Sequence, residues 1–282
     1  MEKFIFTTRK QLSKYLCHQV NTPGAMTGYL LSIFIGLSLG LIGGGGSILT
    51  IPILVYFFKI DPVIASTYSL FVIGITSLTG AFSHYQRGNV NFRIAMLFGI
   101  PSLVTVFIMR KWIMPMVPQH LATIGSFEFT KSILLMTVFA MFMVLASISM
   151  IRKRNEPVSE GDINYRKLIW LALLVGFITG FIGIGGGFLI IPSLILFAGL
   201  PMKKAVGTSL TIMTISSLVG VLGDVSRHEP INYSFLAAFT AFAIAGILIG
   251  CYLTKYVKDH RLKPAFGWFI LCIGVFVLFS AI

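Results

Sequence analysis

Acidic residues are scarce in this chain. Nine Asp and Glu occur among 282 residues, only 11% of the residues are charged, and eight stretches contain no Asp, Glu, Lys or Arg. These are Thr27 to Phe58, Pro62 to Gln86, Ile94 to Met109, Ser132 to Ile151, Leu168 to Met202, Ala205 to Gly223, Pro230 to Thr254 and Pro264 to Ile282. A paired-carboxylate centre for acid and base chemistry therefore has no place inside the apolar segments. Cysteine is equally sparse. Cys17, Cys251 and Cys272 form an odd set without metal-ligand spacing, which argues against a disulfide framework or a zinc site. No Walker loop, nucleophile elbow, filter-like sequence or regular ring of charge is present. An enzyme would have little to work with, an ATP-driven pump would need another subunit, and no cofactor or metal is expected.

What fills the chain instead is apolar sequence. Hydrophobic residues make up 56% of it and the mean hydropathy is +0.91, far outside the soluble range. The expected class is an all-α, polytopic transmembrane bundle with about eight hydrophobic segments. The net charge of +13 does not point to nucleic acid, because the 22 Lys and Arg lie in the tail or in the short gaps between apolar stretches. There they meet lipid head groups, so membrane lipid is the expected partner. The first apolar run is about 30 residues long and lacks a small-residue cleavage site after a short core, so no cleavable signal peptide is expected. In the basic tail, residues 1–26, the segment Arg9 to Gln19 groups Leu12, Tyr15 and Leu16 away from Lys10, Lys14 and His18. That pattern suits an interfacial helix, and a disordered tail fits it equally well.

Glycine is abundant and unevenly placed. Gly40-Leu-Ile-Gly-Gly-Gly-Gly-Ser-Ile-Leu-Thr-Ile-Pro52 returns 140 residues later as Gly180-Phe-Ile-Gly-Ile-Gly-Gly-Gly-Phe-Leu-Ile-Ile-Pro192. Setting residue i against i+140 from Gly36 to Gly88 gives about 19 identities in 53 ungapped positions, among them Pro52/Pro192, Ala65/Ala205, Ser69/Ser209 and Gly80/Gly220. The match continues one residue out of step as Val90-Asn-Phe92 against Ile231-Asn-Tyr233. Residues 27–151 and 168–282 thus read as duplicated halves joined by a polar linker, residues 152–167.

Their relative orientation depends on the long runs. Thr27 to Phe58 as one helix would be about 45 Å long, against a hydrocarbon core of about 30 Å. If each long run spans once, the halves are parallel. If each instead folds back at its glycines, the second half is inverted relative to the first. The 22 positive charges then divide nine to thirteen, which favours the inverted version and a cytoplasmic 152–167 linker. The expected location is the cell inner membrane, crossed several times.

Glycine clusters let the backbone turn sharply and expose N–H groups. At membrane depth an unsatisfied backbone group is costly unless it is buried in protein or lines a wet cavity. Gly43, Gly44, Gly45 and Gly46 in the first half, and Gly185, Gly186 and Gly187 in the second, are therefore candidate substrate-binding positions, each aiming the positive end of a following helix inward. Close helix packing is the competing explanation. Ser47, Ser69, Thr208 and Ser209 add hydroxyl donors, with Ser69, Thr76 and Gly80 repeated in spacing by Ser209, Ser216 and Gly220. His84 and Arg87 correspond to Asp224 and Arg227, and these four are the candidates for gating or proton coupling. Arg227 is also the nearby partner expected for Asp224.

With these features the chain resembles the TauE/SafE family of membrane proteins, also described as sulfite exporters. The resemblance rests on both glycine motifs with Pro52 and Pro192, on Ala65-Ser-Thr-Tyr-Ser-Leu70 with Ala205-Val-Gly-Thr-Ser-Leu210, and on His84-Tyr-Gln-Arg-Gly-Asn-Val90. It implies a secondary transporter of small sulfur-containing anions such as sulfite, sulfoacetate or other organosulfonates, working by alternating access and exporting across the inner membrane. A sulfonate needs donors rather than a base. With no Lys or Arg inside the eight stretches, those donors are expected to be backbone N–H groups and hydroxyls. A membrane sensor or assembly subunit, with glycines serving only for packing, is the alternative class. A homodimer is compatible with the sequence, although no motif argues for it.

Overall fold

The computed structural model describes residues 23–118, 120–124, 127–151, 165–225, 232–254, 267–268 and 271–279. The tail segment Arg9 to Gln19, most of the 152–167 linker and Arg227 lie outside the described residues. The protein is a helical bundle. Its elements are α1 (Pro23–Ile42), α2 (Ser47–Pro52) extended by a π-helical turn (Ile53–Phe57), α3 (Pro62–Gln86), and α4 (Phe92–Ile108), which continues through a second π-helical turn (Met109–Ile113) to Met116. A short antiparallel hairpin, β1 (His120–Ile124) and β2 (Phe127–Thr130), precedes α5 (Lys131–Ile151). Then come α6 (Tyr165–Ile182), α7 (Gly187–Ala198), α8 (Met202–Val225), α9 (Tyr233–Leu253) and α10 at residues 271–279.

Among the described residues, five helices are long and apolar enough to cross a membrane: Pro62–Gln86, Phe92–Met116, Tyr165–Ile182, Met202–Asp224 and Tyr233–Leu253. Large apolar side chains such as Leu30, Leu78, Phe82, Ile100, Val104, Leu174, Phe177, Leu222 and Leu248 are exposed on the outside of the bundle. Water would penalise such a surface and lipid does not. Tyr85, Trp112, Tyr165, Tyr233 and Tyr252 are exposed near helix ends, where amphipathic rings suit the head-group region.

Local signals start the helices. Asp61 accepts a hydrogen bond from the Val63 N–H and Pro62 opens α3. Asn91 accepts from the Ile94 N–H at 3.2 Å and Asn232 from the Phe235 N–H at 3.1 Å, so equivalent asparagines cap α4 and α9. Asn91→Ala should lower stability by about 1 kcal/mol, the usual worth of an N-cap, as read by thermal unfolding in detergent.

Both long apolar runs fold back at their glycines. Gly46 lies against the backbone of Ile35 and Leu39, and Gly186 against the side chains of Val175 and Thr179, at corresponding points of α1 and α6. Phe58, just after the first return, packs beside Gly28 and stacks edge-on with Tyr29 at 5.5 Å. The first run therefore leaves by the end at which it began.

The two hairpins are inserted from opposite ends of the bundle. α1 runs parallel to α9, with Gly36 against Ala243 and Ile247, and Gly40 against Ile247 and Cys251. α6 runs parallel to α4, with Gly176 against Ser102 and Gly180 against Val106 and Met109. α9 and α4 point in opposite directions. Asn232, at the start of α9, donates its N–H to the Tyr68 hydroxyl at 2.8 Å, while the Asn91 N–H, before α4, donates to Thr208 Oγ1 at 3.0 Å at the other end. α3 and α8 pack against each other through the middle, where Thr214 Oγ1 lies 3.1 Å from Ser77 Oγ.

Candidate functional site

The glycine breaks meet at the centre. Gly43 and Gly183 end the inbound helices with φ of +81° and +88°, a left-handed backbone that L side chains rarely adopt. Each still closes its helix, the Gly43 N–H to Leu39 O at 2.7 Å and the Gly183 N–H to Thr179 O at 2.8 Å. Gly44 and Gly187 touch backbone to backbone: a Cβ on Gly44 would fall on the Gly187 carbonyl, and one on Gly187 would lie 2.5 Å from Gly44 Cα. Sequence reasoning paired these clusters, and the structure brings them together. It also distinguishes them, since Gly186 is left-handed at φ +70° while the corresponding Gly46 is right-handed at φ −65°.

Gly43, Gly44, Gly45, Gly46, Ser47, Gly185, Gly186 and Gly187 are all buried. So are Ser69, Thr208 and Ser209. Three of the hydroxyls are engaged with backbone. Ser47 Oγ donates to Gly44 O at 2.7 Å, Ser209 Oγ donates to Val206 O at 2.8 Å, and Thr208 Oγ1 accepts the Asn91 N–H. Ser69 Oγ, Thr76 Oγ1 and Ser217 Oγ are buried without a hydrogen-bond partner among the described residues. Ser217 stands next to Gly185, whose added Cβ would lie 3.2 Å from its Oγ. Buried polar atoms normally find partners, so this centre has donor capacity to spare.

At one end of the bundle a pocket of about 100 Å³ descends towards the first break. His84, Arg87, Asn89, Lys203 and Thr254 supply its polar wall, and Leu41, Met202 and Val206 its apolar part. Val206 also packs against Gly43, so the pocket stops beside the break. Arg87 Nη1 donates to Cys251 O at 2.8 Å, holding the guanidinium against the end of α9. His84 is 2% exposed and neither ring nitrogen has a hydrogen-bond partner among the described residues. The sequence had singled out His84 and Arg87. Lys203 was missed because it opens α8 in a gap that read as plain head-group contact.

The opposite end is filled. Asp224 and Arg110 form an ion pair at 2.8 Å with both side chains buried. Thr67 Oγ1 donates to the same carboxylate oxygen at 2.8 Å, and Arg110 Nη1 donates to Ser66 Oγ at 3.0 Å. The guanidinium also reaches the second break, where Nη2 occupies the space a Cβ on Gly183 would need.

Asp224 makes an ion pair with Arg110, 114 residues earlier in the chain, and the partner expected from the sequence, Arg227, lies outside the described residues. One expectation is corrected: the donors near the breaks are not confined to backbone and hydroxyls. Arg110 follows directly on the uncharged stretch Ile94 to Met109 and falls under the general expectation that the cations meet lipid head groups, yet it is fully buried. The π-helical turn Met109–Ile113, which shifts the side-chain register, carries it inward. No group of three or more His, Cys, Asp or Glu suited to a metal occurs among the described residues.

A probable membrane transporter protein of Xylella fastidiosa is 28% identical over 255 residues, covering 88% of this chain and 92% of that protein. Similar proteins of the same description include one of Methanocaldococcus jannaschii, 25% identical over 267 residues with 88% and 94% coverage, and YdhB of Bacillus subtilis, 26% identical over 253 residues with 89% and 98% coverage. No solved structure matches the chain. The family model described as sulfite exporter TauE/SafE matches residues 29–277. With its apolar helices and transporter relatives, the chain is a multi-pass membrane protein that belongs to the TauE/SafE sulfite exporter family.

Proposed function

We propose that the protein is a secondary transporter of small sulfur-containing anions, such as sulfite, sulfoacetate or other organosulfonates. It is built of two inverted repeats, residues 27–151 and 168–282, and works by alternating access across the inner membrane. The observation that carries this reading is the inequality of the two ends: a cationic pocket reaches one break, while a buried ion pair fills the space beside the other. A carrier that opens to one side at a time has such an asymmetry.

The inverted repeat draws support from reciprocal contacts. α1 packs on α9 as α6 packs on α4, and the Asn91–Thr208 contact mirrors Asn232–Tyr68. Insertion of the hairpins from opposite ends favours inverted over parallel halves. The thirteen-charge side is the pocket end, so positive-inside logic puts the pocket and the 152–167 linker in the cytoplasm. An anion would load there beside Arg87 and Lys203, with the His84 ring as a further donor, which suits export.

A thermal-shift series with sulfite, thiosulfate, sulfoacetate, taurine and chloride tests the substrate class, since a ligand of the folded state raises its stability. Flux of the stabilising anion in proteoliposomes tests transport. Stabilisation by none of them, with no flux, would reject the proposal and favour a sensor or assembly subunit. Arg87→Ala should weaken anion binding about tenfold, the scale of one charge-assisted hydrogen bond. The deficit should shrink at high ionic strength. An unchanged binding curve would remove Arg87 from the site.

A further inference from the structure

The ion pair at the filled end has the form of an occupied anion site. We infer that the Asp224 carboxylate is a tethered occupant of a cradle formed by Arg110 and Thr67 beside the Gly183 break, and that the transported anion takes its place when this end opens. The inference rests on the transporter reading and adds to it a second substrate site and the group that competes for it.

The donors and the occupant come from different elements. Arg110 belongs to the π-helical turn after α4 and Thr67 to the second turn of α3, whereas Asp224 stands at the end of α8. One carboxylate oxygen accepts from both donors at 2.8 Å. Ser66 has a positioning role: its hydroxyl accepts from Arg110 Nη1 and gives its own proton to Val63 O at 2.7 Å. A guanidinium and a hydroxyl are what a sulfite or sulfonate oxygen needs, and arginine suits planar or multi-oxygen anions better than lysine does.

The place also corresponds to the pocket at the other end. By the 140-residue repeat Gly183 matches Gly43, Ser66 matches Val206, and Asp224 matches His84. Gly43, Val206 and His84 border or line the open pocket, while Gly183, Ser66 and Asp224 surround Arg110. One end thus presents an imidazole ring and open space where the other presents a carboxylate and a guanidinium.

An exchange between carboxylate and substrate has a clear physical basis. Burying a guanidinium away from negative charge is costly, which favours an anion beside Arg110 whether this end is closed or open. Asp224 serves while the end is closed, and the substrate serves while it is open. Departure of the substrate then favours return of Asp224 and closure.

The test compares purified wild type with Asp224→Asn and with the double variant Arg110→Gln/Asp224→Asn, titrating sulfite and sulfoacetate against a sodium chloride control by calorimetry and thermal shift. Asp224→Asn should bind the anion about tenfold more tightly than wild type, because the competing carboxylate is gone. The double variant should lose that gain. Unchanged or weaker binding in Asp224→Asn, or a gain that persists without Arg110, would overturn the inference. If Asp224→Asn unfolds on extraction, its recovery is compared with sulfite or chloride present throughout. Selective recovery in sulfite supports the cradle, and equal failure in both refutes it. Wild-type flux of sulfite and sulfoacetate, and of any other anion that stabilises the protein, is measured in parallel: absent flux of all of them rejects the transporter reading itself, whereas flux with no gain in the variant rejects only the cradle.

Discussion

Gly44→Val is expected to abolish transport and to destabilise the protein by about 3 kcal/mol or more. Overpacking a core usually costs about 1–3 kcal/mol when side chains can shift. At Gly44 they cannot, because a Cβ would land on the Gly187 backbone carbonyl where the two breaks cross. Relief requires one hairpin to withdraw from the other, which separates the centre on which alternating access depends. Flux in proteoliposomes should fall on the order of a hundredfold, the scale of loss when a site is displaced by about 1 Å. Gly99→Ala is the control. Its Cβ would meet only Ile212 Cγ1 at 3.7 Å, an ordinary contact, so flux should be retained. Stability should stay the same or rise by up to about 1 kcal/mol from helix propensity. Wild-type flux in Gly44→Val would show that the crossing of the breaks is passive packing.

Arg110→Met should be the most destabilising single change at the filled end, costing about 3–5 kcal/mol, because it strands a buried carboxylate. Arg110 and Asp224 are 0% and 2% exposed at their side chains, so solvent cannot readily take over from the lost partner. The double variant Arg110→Met/Asp224→Leu should recover most of the loss, since an apolar pair avoids the cost of burying charge. Thermal unfolding of the four proteins of the cycle measures the coupling directly. The same double variant should remain folded and fail to transport. If the single and double variants were equally unstable, the stabilisation would come from the packing of the side chains and not from their charge pairing.

Much of the architecture was legible in the chain because the relevant signals are local. The eight uncharged stretches mark apolar segments, and Asp61, Asn91 and Asn232 mark helix starts through their own side chains. The matched glycines and prolines identified the breaks, and the limited thickness of a bilayer made a fold-back the economical solution for a run of about 30 residues. His84 and Arg87 stood out as ionisable groups at the edge of an apolar stretch. Arg110 did not, because it has no ionisable counterpart 140 residues on and looks like the other cations that flank apolar stretches. A cation that follows an apolar run reads as a snorkelling end residue whether it faces lipid head groups or turns inward.

The sequence by itself determined that this is a helical membrane protein whose two apolar breaks share one design, since composition, periodicity and repeated glycines are properties of the chain alone. Tertiary structure decided where those parts go. It inserted the hairpins from opposite ends, pressed Gly44 against Gly187, and gave Asp224 a partner 114 residues away. It also left His84 at an open pocket and the corresponding Asp224 at a filled end. These outcomes depend on which helices pack together and on the inward turn after Met109, and neither is encoded in the spacing of residues along one segment. Charge pairing at membrane depth is a long-range property of the fold, because the cost of an unpaired ion there is met by whichever partner the packing brings within reach.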